Sequence, residues 1–336
     1  MRRFLSALLK LVVSATVIVF LLRRIGVDAV TQQLGTADIG WLVTALVVFA
    51  ASNVLGAIQW RWFLAARGIA LSLPTVLAYY HVGLFFNNFL LGYVGGDVFR
   101  IYDAARASGK PVEAASAVFL DRLVGFVALT TMAVVGSVVW FSLFRVGGAV
   151  ALGSVLLLAA WCAAFVALFH PRVARKLFAA VKFFFPSPLR GRLNGLYWQL
   201  NAFRHDRWLL ARAYGLSLAI QALRVMVHVF TALAVGMRAN MLYFAVFIPI
   251  IALISSLPVT FGGIGIREQT GVTLFGRVGL PPAQAMATEF LAYLVGVFSS
   301  LPGGVYFLLR REQLKPVPQL PVTNGEESHP CLQPQR

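Results

Sequence analysis

At 336 residues, 59% of them hydrophobic and only 12% charged, the chain falls outside the ordinary soluble domains, which carry about twice that charged share. Its mean hydropathy is +0.80, and apolar runs of span length recur over nearly the whole sequence, so one integral domain is expected and no soluble catalytic domain. The formal net charge of +17 sits between those runs; it reads as the Lys/Arg excess that retains loops in the cytoplasm and favours anionic headgroups, and no nucleic-acid partner is expected.

The first apolar run, residues 4–22, follows Arg2 and Arg3. No small-residue cleavage site precedes Arg23-Arg24, so it reads as a retained anchor and not as a signal peptide. A second span is expected over 41–58. Residues 74–94 carry Tyr79, Tyr80, His81, Asn87 and Asn88, too many polar groups for a lipid-facing helix. Spans follow over 115–141, 147–169, 209–235 and 285–309, and the stretch 242–280 is broken by Pro249, Pro258 and a glycine cluster. The expected fold is an all-α polytopic membrane bundle of about six full spans plus two re-entrant or broken-helix hairpins, occupying residues 1–312. Residues 313–336, with Pro316, Pro318, Pro321, Pro330 and Pro334, read as a disordered cytoplasmic tail. Cys162 falls in a span and Cys331 in the tail, which supports neither a disulfide framework nor a zinc site.

Basic residues orient the spans. The loop 171–208 carries Arg172, Arg175, Lys176, Lys182, Arg190, Arg192, Arg204 and Arg207 against the single acid Asp206, and belongs in the cytoplasm. Its stretch Lys176 to Lys182 mixes aromatic residues with lysine and is either an interfacial helix or a plain connection. Working back and forward from this loop, 74–94 enters and leaves on the cytoplasmic side, 242–280 dips in from outside, and both termini are cytoplasmic. The misfit is Arg23-Arg24, placed outside, where snorkelling accommodates it. The expected location is the cell inner, cytoplasmic membrane.

The two irregular segments echo each other. Asn87-Asn88 precedes Gly95-Gly96-Asp97-Val98-Phe99-Arg100, and Ser255-Ser256 precedes Gly262-Gly263-Ile264-Gly265-Ile266-Arg267. Paired interrupted segments entering from opposite faces are the mark of inverted repeats that meet near the midplane. The chemistry is expected there. Asp121 and Arg122 stand near a span start, with Asp97–Arg122 and Arg100–Asp121 as the expected contacts; the alternative is a helix-start ion pair that serves assembly alone. Arg267 suits a bidentate phosphate contact, while Glu268 offsets charge on Arg267, binds an amine, or joins it as a rim pair holding the hairpin. Arg224 lies inside a span with His228 on the same face, and is expected either as a ligand group or paired with Glu289. His81 reads as a hydrogen-bonded structural residue. The full set of expected substrate-binding positions is Asn87, Asn88, Gly95, Gly96, Asp97, Arg100, Asp121, Arg122, Arg224, Gly262, Gly263, Arg267 and Glu268.

No nucleophile elbow, H-E-x-x-H or phosphate-loop pattern occurs, and the five histidines lie far apart, so neither an enzyme, a cofactor nor a metal is expected. The hairpin motif Gly95 to Arg100, the run Ala114-Ala115-Ser116-Ala117-Val118-Phe119-Leu120-Asp121-Arg122-Leu123-Val124-Gly125, and the run Leu257-Pro258-Val259-Thr260-Phe261-Gly262-Gly263-Ile264-Gly265-Ile266-Arg267-Glu268 together resemble the flippase-like integral membrane family related to the transmembrane flippase domain of lysylphosphatidylglycerol synthases, over residues 5–312. In bifunctional members of that family a soluble aminoacyl-transferase domain follows the membrane part and makes the lipid. The resemblance therefore implies movement of a lipid and not its synthesis. Family substrates are diverse, and some members sit near polyprenyl-phosphate or hopanoid pathways, so the lipid is a phospholipid, an aminoacylated lipid or a polyprenyl phosphate. The second reading is a non-transporting partner of a lipid-modifying or glycosyl-transfer enzyme, docked by the basic loop. The third is an intramembrane transferase working through Asp97 and Asp103. Expected partners are thus a lipid with a phosphate-bearing headgroup, such an enzyme, and a second copy of the chain in a homodimer.

Overall fold

In a hydrocarbon core an apolar run can satisfy its backbone amides only within its own helix, and every regular element described in the computed structural model is an α-helix. The structure describes residues 19, 27–89, 95–144, 148–169, 197–203, 206–256 and 263–310. The expected first span (Val19 apart), Arg23-Arg24, most of the basic loop, Pro258, Gly262 and the tail 313–336 lie outside the described residues.

The helices are α1 (Val27–Gly35), α2 (Ile39–Ala66), α3 (Leu73–Phe89), α4 (Gly95–Ser108), α5 (Pro111–Phe144), α6 (Gly148–Phe169), α7 (Arg207–Ala234), α8 (Met241–Ser255), α9 (Ile266–Gly276) and α10 (Pro282–Leu309). Four stretches among the described residues are long and apolar enough to cross a bilayer: Ile39–Ala66, Pro111–Ser142, Arg207–Ala234 and Pro282–Leu309. Helix α6 forms where a further span was expected. The chain is an all-α polytopic membrane bundle. Two boundaries differ from the sequence reading. Helix α2 runs on past 58 to Ala66 because Gln59 and Trp60 are buried against protein and not lipid. The polar segment at 74–94 is one limb of a helical hairpin, whose return limb α4 continues to Ser108.

The order long, short, short, long occurs twice, as α2–α3–α4–α5 and as α7–α8–α9–α10. The packing repeats with it. Helix α3 lies on α10 as α8 lies on α5; α4 lies on α5 as α9 lies on α10; α6 rests on α5 as α1 rests on α10; and α2 packs along α7. Even the helix ends match. Gly68 and Gly236 both take φ 70°, which favours glycine, and the next amides, Ile69 N and Met237 N, each donate 2.9 Å back to Leu64 O and Ala232 O. Helices α5 and α10 both open on a proline, and Phe119-Leu120 with Leu123-Val124-Gly125 recurs as Phe290-Leu291 with Leu294-Val295-Gly296.

The repeat is inverted. Arg67 at the end of α2 lies 3.8 Å from Asp206 at the start of α7, Lys110 Nζ donates to Gly68 O at 3.1 Å, and Arg310 pairs with Asp103 at 2.8 Å. These contacts put both ends of the α3–α4 hairpin on one face. On the other face Asp38 N donates to Ala234 O at 2.8 Å, and Leu34 and Ala37 pack against the same apolar cluster as Val278 and Leu280 at the far end of the α8–α9 hairpin. The hairpins therefore enter from opposite sides.

Close crossings lock them in place. A Cβ on Gly303 of α10 would run into the backbone of His81 in α3, and one on Gly136 of α5 would come within 2.9 Å of Val246 Cα in α8. Replacing Gly303 with Val should lower the melting temperature of the detergent-purified protein, since overpacking costs about 1–3 kcal/mol and backbone cannot yield like a side chain. Gly215→Ala, where a Cβ meets open space, should leave the melt unchanged or slightly raised.

Candidate functional site

Each hairpin tip is closed by a side chain that serves orphan helix-end amides. Asn87 Oδ1, at the end of α3, accepts from Gly96 N in the first turn of α4 at 2.9 Å. A side chain on Gly96 would strike the Gly83 carbonyl, so the two limbs touch backbone to backbone. In the second hairpin Glu268 Oε2 accepts from Gly265 N at 2.6 Å and caps the start of α9. Asn88 leaves the tip, donating from Nδ2 to Ser300 Oγ of α10 at 3.0 Å.

A chain of polar contacts runs across the first half. Arg122 grips Asp97 with two donors, Nε to Oδ2 at 2.7 Å and Nη2 to Oδ1 at 2.9 Å. Arg100 reaches Asp121 at 2.8 Å and Asp97 at 3.4 Å, and its guanidinium faces the rings of Trp60 at 4.4 Å and Tyr80 at 4.8 Å. Asp121 also accepts from Gln59 Nε2 at 3.0 Å, and Gln59 Oε1 accepts from Ser217 Oγ at 2.8 Å. Both cross-pairings anticipated from sequence thus form. Arg100 is only 3% exposed; with two carboxylates and two aromatic faces around it, it acts as a tie between α2, α3, α4 and α5.

Between the hairpin tips lies a cavity of about 300 Å³, at the small end for ligand sites. Asn87, Asn88, Arg100, Asp121, Arg122, Arg224 and Arg267 line it, together with Gln59, Ser217, Gln221, His228, Ser256 and Tyr293. Of the expected set, Gly95, Gly96, Asp97, Gly263 and Glu268 do not line it: Asp97 stands behind Arg122, the glycines form the tips, and Glu268 is a buried cap, 1% exposed, and not a rim group. Arg267 and Glu268 diverge because adjacent helical residues occupy different sectors.

Of the two alternatives for Arg224, the structure takes the cavity position and not the pair with Glu289. His228 Nδ1 holds Glu289 Oε1 instead, at 3.1 Å, one helical turn further along α7. Glu289 fits there because Gly271 of α9 leaves the space; a Cβ on Gly271 would lie 2.7 Å from Glu289 Cγ. Arg224 borders the cavity with its Nε buried and, among the described residues, without a hydrogen-bond partner.

The two halves share a frame but not their charges. Arg267 stands in the second hairpin where Arg100 stands in the first. The positions of Asp97, Asp121 and Arg122 are taken by Ile264, Ala292 and Tyr293. Both carboxylates that neutralise Arg100 are thus missing from the second half, and Arg267 lies 5.8 Å from the Tyr293 ring, facing the cavity. One wall is a closed ion-pair network; the other presents Arg224 and Arg267 to the cavity, with Glu268 acting on Arg267 from α9. Sequence reasoning missed this asymmetry, together with Gln59, Ser217 and Tyr293. The recurrence of Phe-Leu and Leu-Val-Gly in α5 and α10 was the signal that would have exposed it.

The family described as the lysylphosphatidylglycerol synthase TM region matches residues 7–303. A relative from Pyrococcus horikoshii, a UPF0104 membrane protein, is 22% identical over 330 residues, covering 91% of this chain and 98% of its own. The chain belongs to the lysylphosphatidylglycerol synthase TM region family, and the matched stretch covers the first half and the second as far as residue 303, within α10.

Asp121→Ala should destabilise the fold sharply, because Arg100 would keep one carboxylate at 3.4 Å and breaking a buried pair costs about 3–5 kcal/mol. The readout is thermal unfolding in detergent. Asp97→Ala combined with Arg122→Ala should cost less than the sum of the two single changes, a coupling that a double-mutant cycle measures.

Proposed function

We propose that this member of the lysylphosphatidylglycerol synthase TM region family moves a lipid with a phosphate-bearing headgroup across the cytoplasmic membrane. The observation that carries the reading is the cavity between two oppositely entering hairpin tips, lined by Arg122, Arg224 and Arg267 with Asp121 as the lining carboxylate. Asp121 is already bound to Arg100. Ionisable groups facing a cavity at membrane depth mark a binding path, and guanidinium groups suit phosphate because they offer paired donors.

The cavity has room for a headgroup and not for a whole lipid. The acyl or prenyl tails therefore stay in the bilayer while the headgroup crosses between the hairpins. Arg267 on α9 and Arg224 on α7 bind the phosphate from the second half. Arg122, held by Asp97, presents its remaining face from the first half. Because each hairpin opens to a different side, a small outward shift of one tip exposes the cavity to one water phase while the other stays shut. The lysine and arginine bias of the loops puts the α3–α4 hairpin on the cytoplasmic side. The lipid is a phospholipid, an aminoacylated lipid or a polyprenyl phosphate, delivered by a lipid-modifying or glycosyl-transfer enzyme.

The test is transbilayer movement of a labelled phosphate-bearing lipid in vesicles that contain the purified protein. Arg267→Ala and Arg224→Ala should each slow movement by about tenfold or more, since a charge-assisted hydrogen bond contributes about 1.5–3 kcal/mol. Both variants should elute and melt like the parent. Movement at the parent rate in both would reject the reading.

A further inference from the structure

The cavity carries a second group of ionisable side chains that headgroup binding leaves unused. Glu289 is 0% exposed, deep in a membrane helix, and its Oε1 meets His228 Nδ1 at 3.1 Å. Its other oxygen, Oε2, has no hydrogen-bond partner among the described residues. Glu268, 1% exposed on the neighbouring helix α9, likewise leaves Oε1 without one, and the two carboxylates act on each other electrostatically. An ionised carboxylate with an unserved oxygen in such a place costs several kcal/mol. A bound proton removes the charge and turns an acceptor into a donor. His228 lines the cavity while Glu289 does not, so His228 is the point of contact between this buried acid and the cavity.

The surroundings say what such a proton responds to. The charged and titratable groups around the shared cavity are Arg224, on the same face of α7 as His228; Arg267 on α9; Asp121 and Arg122 on α5; Arg100 on α4; and Tyr80 and Tyr293 on α3 and α10, with Glu268 of α9 acting on Glu289 from behind. Helices α2 and α8 bring only non-titrating residues to the lining. Arg224, on the same face of α7 as His228, and Arg267 line the same cavity, and Arg267 acts electrostatically on Glu268 beside the pair. An anion seated on those guanidiniums makes the surroundings of the pair more negative and so favours a bound proton.

We propose that His228 and Glu289 form a proton-binding site coupled to the headgroup site, so that one proton travels with each anionic headgroup. The inference rests on the transport reading. A proton from the water phase open to the cavity binds the imidazole, and the hydrogen bond to Oε1 shares it with the carboxylate; no other bond changes. Proton and anion then favour each other's binding by equal factors, as linkage requires. Release of the headgroup on the far side frees the proton to leave through the same imidazole.

Two measurements test this. The first needs no lipid: nitrogen-labelled histidine spectra of the purified protein, with the His228 signal identified by its loss in His228→Gln. The expected result is a His228 ring whose signals change with pH in the parent, with that change displaced in Glu289→Gln. A ring that does not titrate, or titrates identically in Glu289→Gln, overturns the proposal. Should that variant fail to elute as a single species, Glu289→Asp, which pulls the carboxylate back by one methylene, must displace the titration instead. The second measurement is movement of a labelled phosphatidylglycerol in vesicles with an imposed pH gradient. The parent should respond to the gradient and Glu289→Gln should lose the response. Movement that ignores the gradient in the parent overturns coupling and leaves transport standing. A titrating His228 without any lipid movement rejects transport and leaves the proton site standing.

Discussion

A guanidinium buried inside a membrane protein has to be neutralised where it stands, and the first half of the molecule is arranged around doing so for Arg100. Two carboxylates from different helices, Asp97 and Asp121, meet it at 3.4 and 2.8 Å. Asp97 is shared with Arg122, and Asp121 is held by Gln59 and through it by Ser217. Remove one link and an unpaired charge remains in a medium that cannot solvate it. This network fixes where the α3–α4 tip sits, hence where one wall of the cavity stands. The opposite wall uses the same backbone frame with Ile264 and Ala292 at the positions of Asp97 and Asp121. Internal symmetry supplies two matching hairpins, and the charges on them do not match.

Much of this was legible in the chain. Composition alone places it in a bilayer. The echo of the two glycine motifs announces paired hairpins, and the clustering of Asp97, Arg100, Asp121 and Arg122 within a short stretch makes their cross-pairing readable, because few other partners are near in sequence. What was not legible depends on rotation about helix axes. Arg224 and His228 share a face, and periodicity cannot say which of them Glu289, 61 residues beyond His228, will meet. The vacancy at Gly271 decides it. In the same way Glu268 looked like a binding group beside Arg267, yet the unserved amide of Gly265 claims it. The number of full spans was read from apolar length, whereas the extension of α2 to Ala66 follows from protein contacts around Trp60 that length does not encode.

Most intramembrane polar contacts described here hold elements together, and only a minority face the cavity. Asn53 to Ser299 and Asn88 to Ser300 tie α2 and α3 to α10, each at 3.0 Å. They work with the glycine crossings, where the absence of a side chain lets two backbones touch. Arg224, Arg267 and His228 line the cavity, and Glu289 stands behind them on His228.

The crossing of α3 onto α10, and of α8 onto α5, has a consequence for biogenesis. Each hairpin docks on the closing helix of the other half, so neither half is a complete folding unit. A chain emerging in order makes α3 long before α10, its principal wall, and 212 residues separate Asn88 from Ser300. Until synthesis is nearly finished, the first hairpin holds polar tips and bare glycine surfaces that lipid cannot serve. Truncation anywhere before α10 should therefore leave nothing that assembles by halves, and the two halves expressed as separate polypeptides should recover the bundle only when made together.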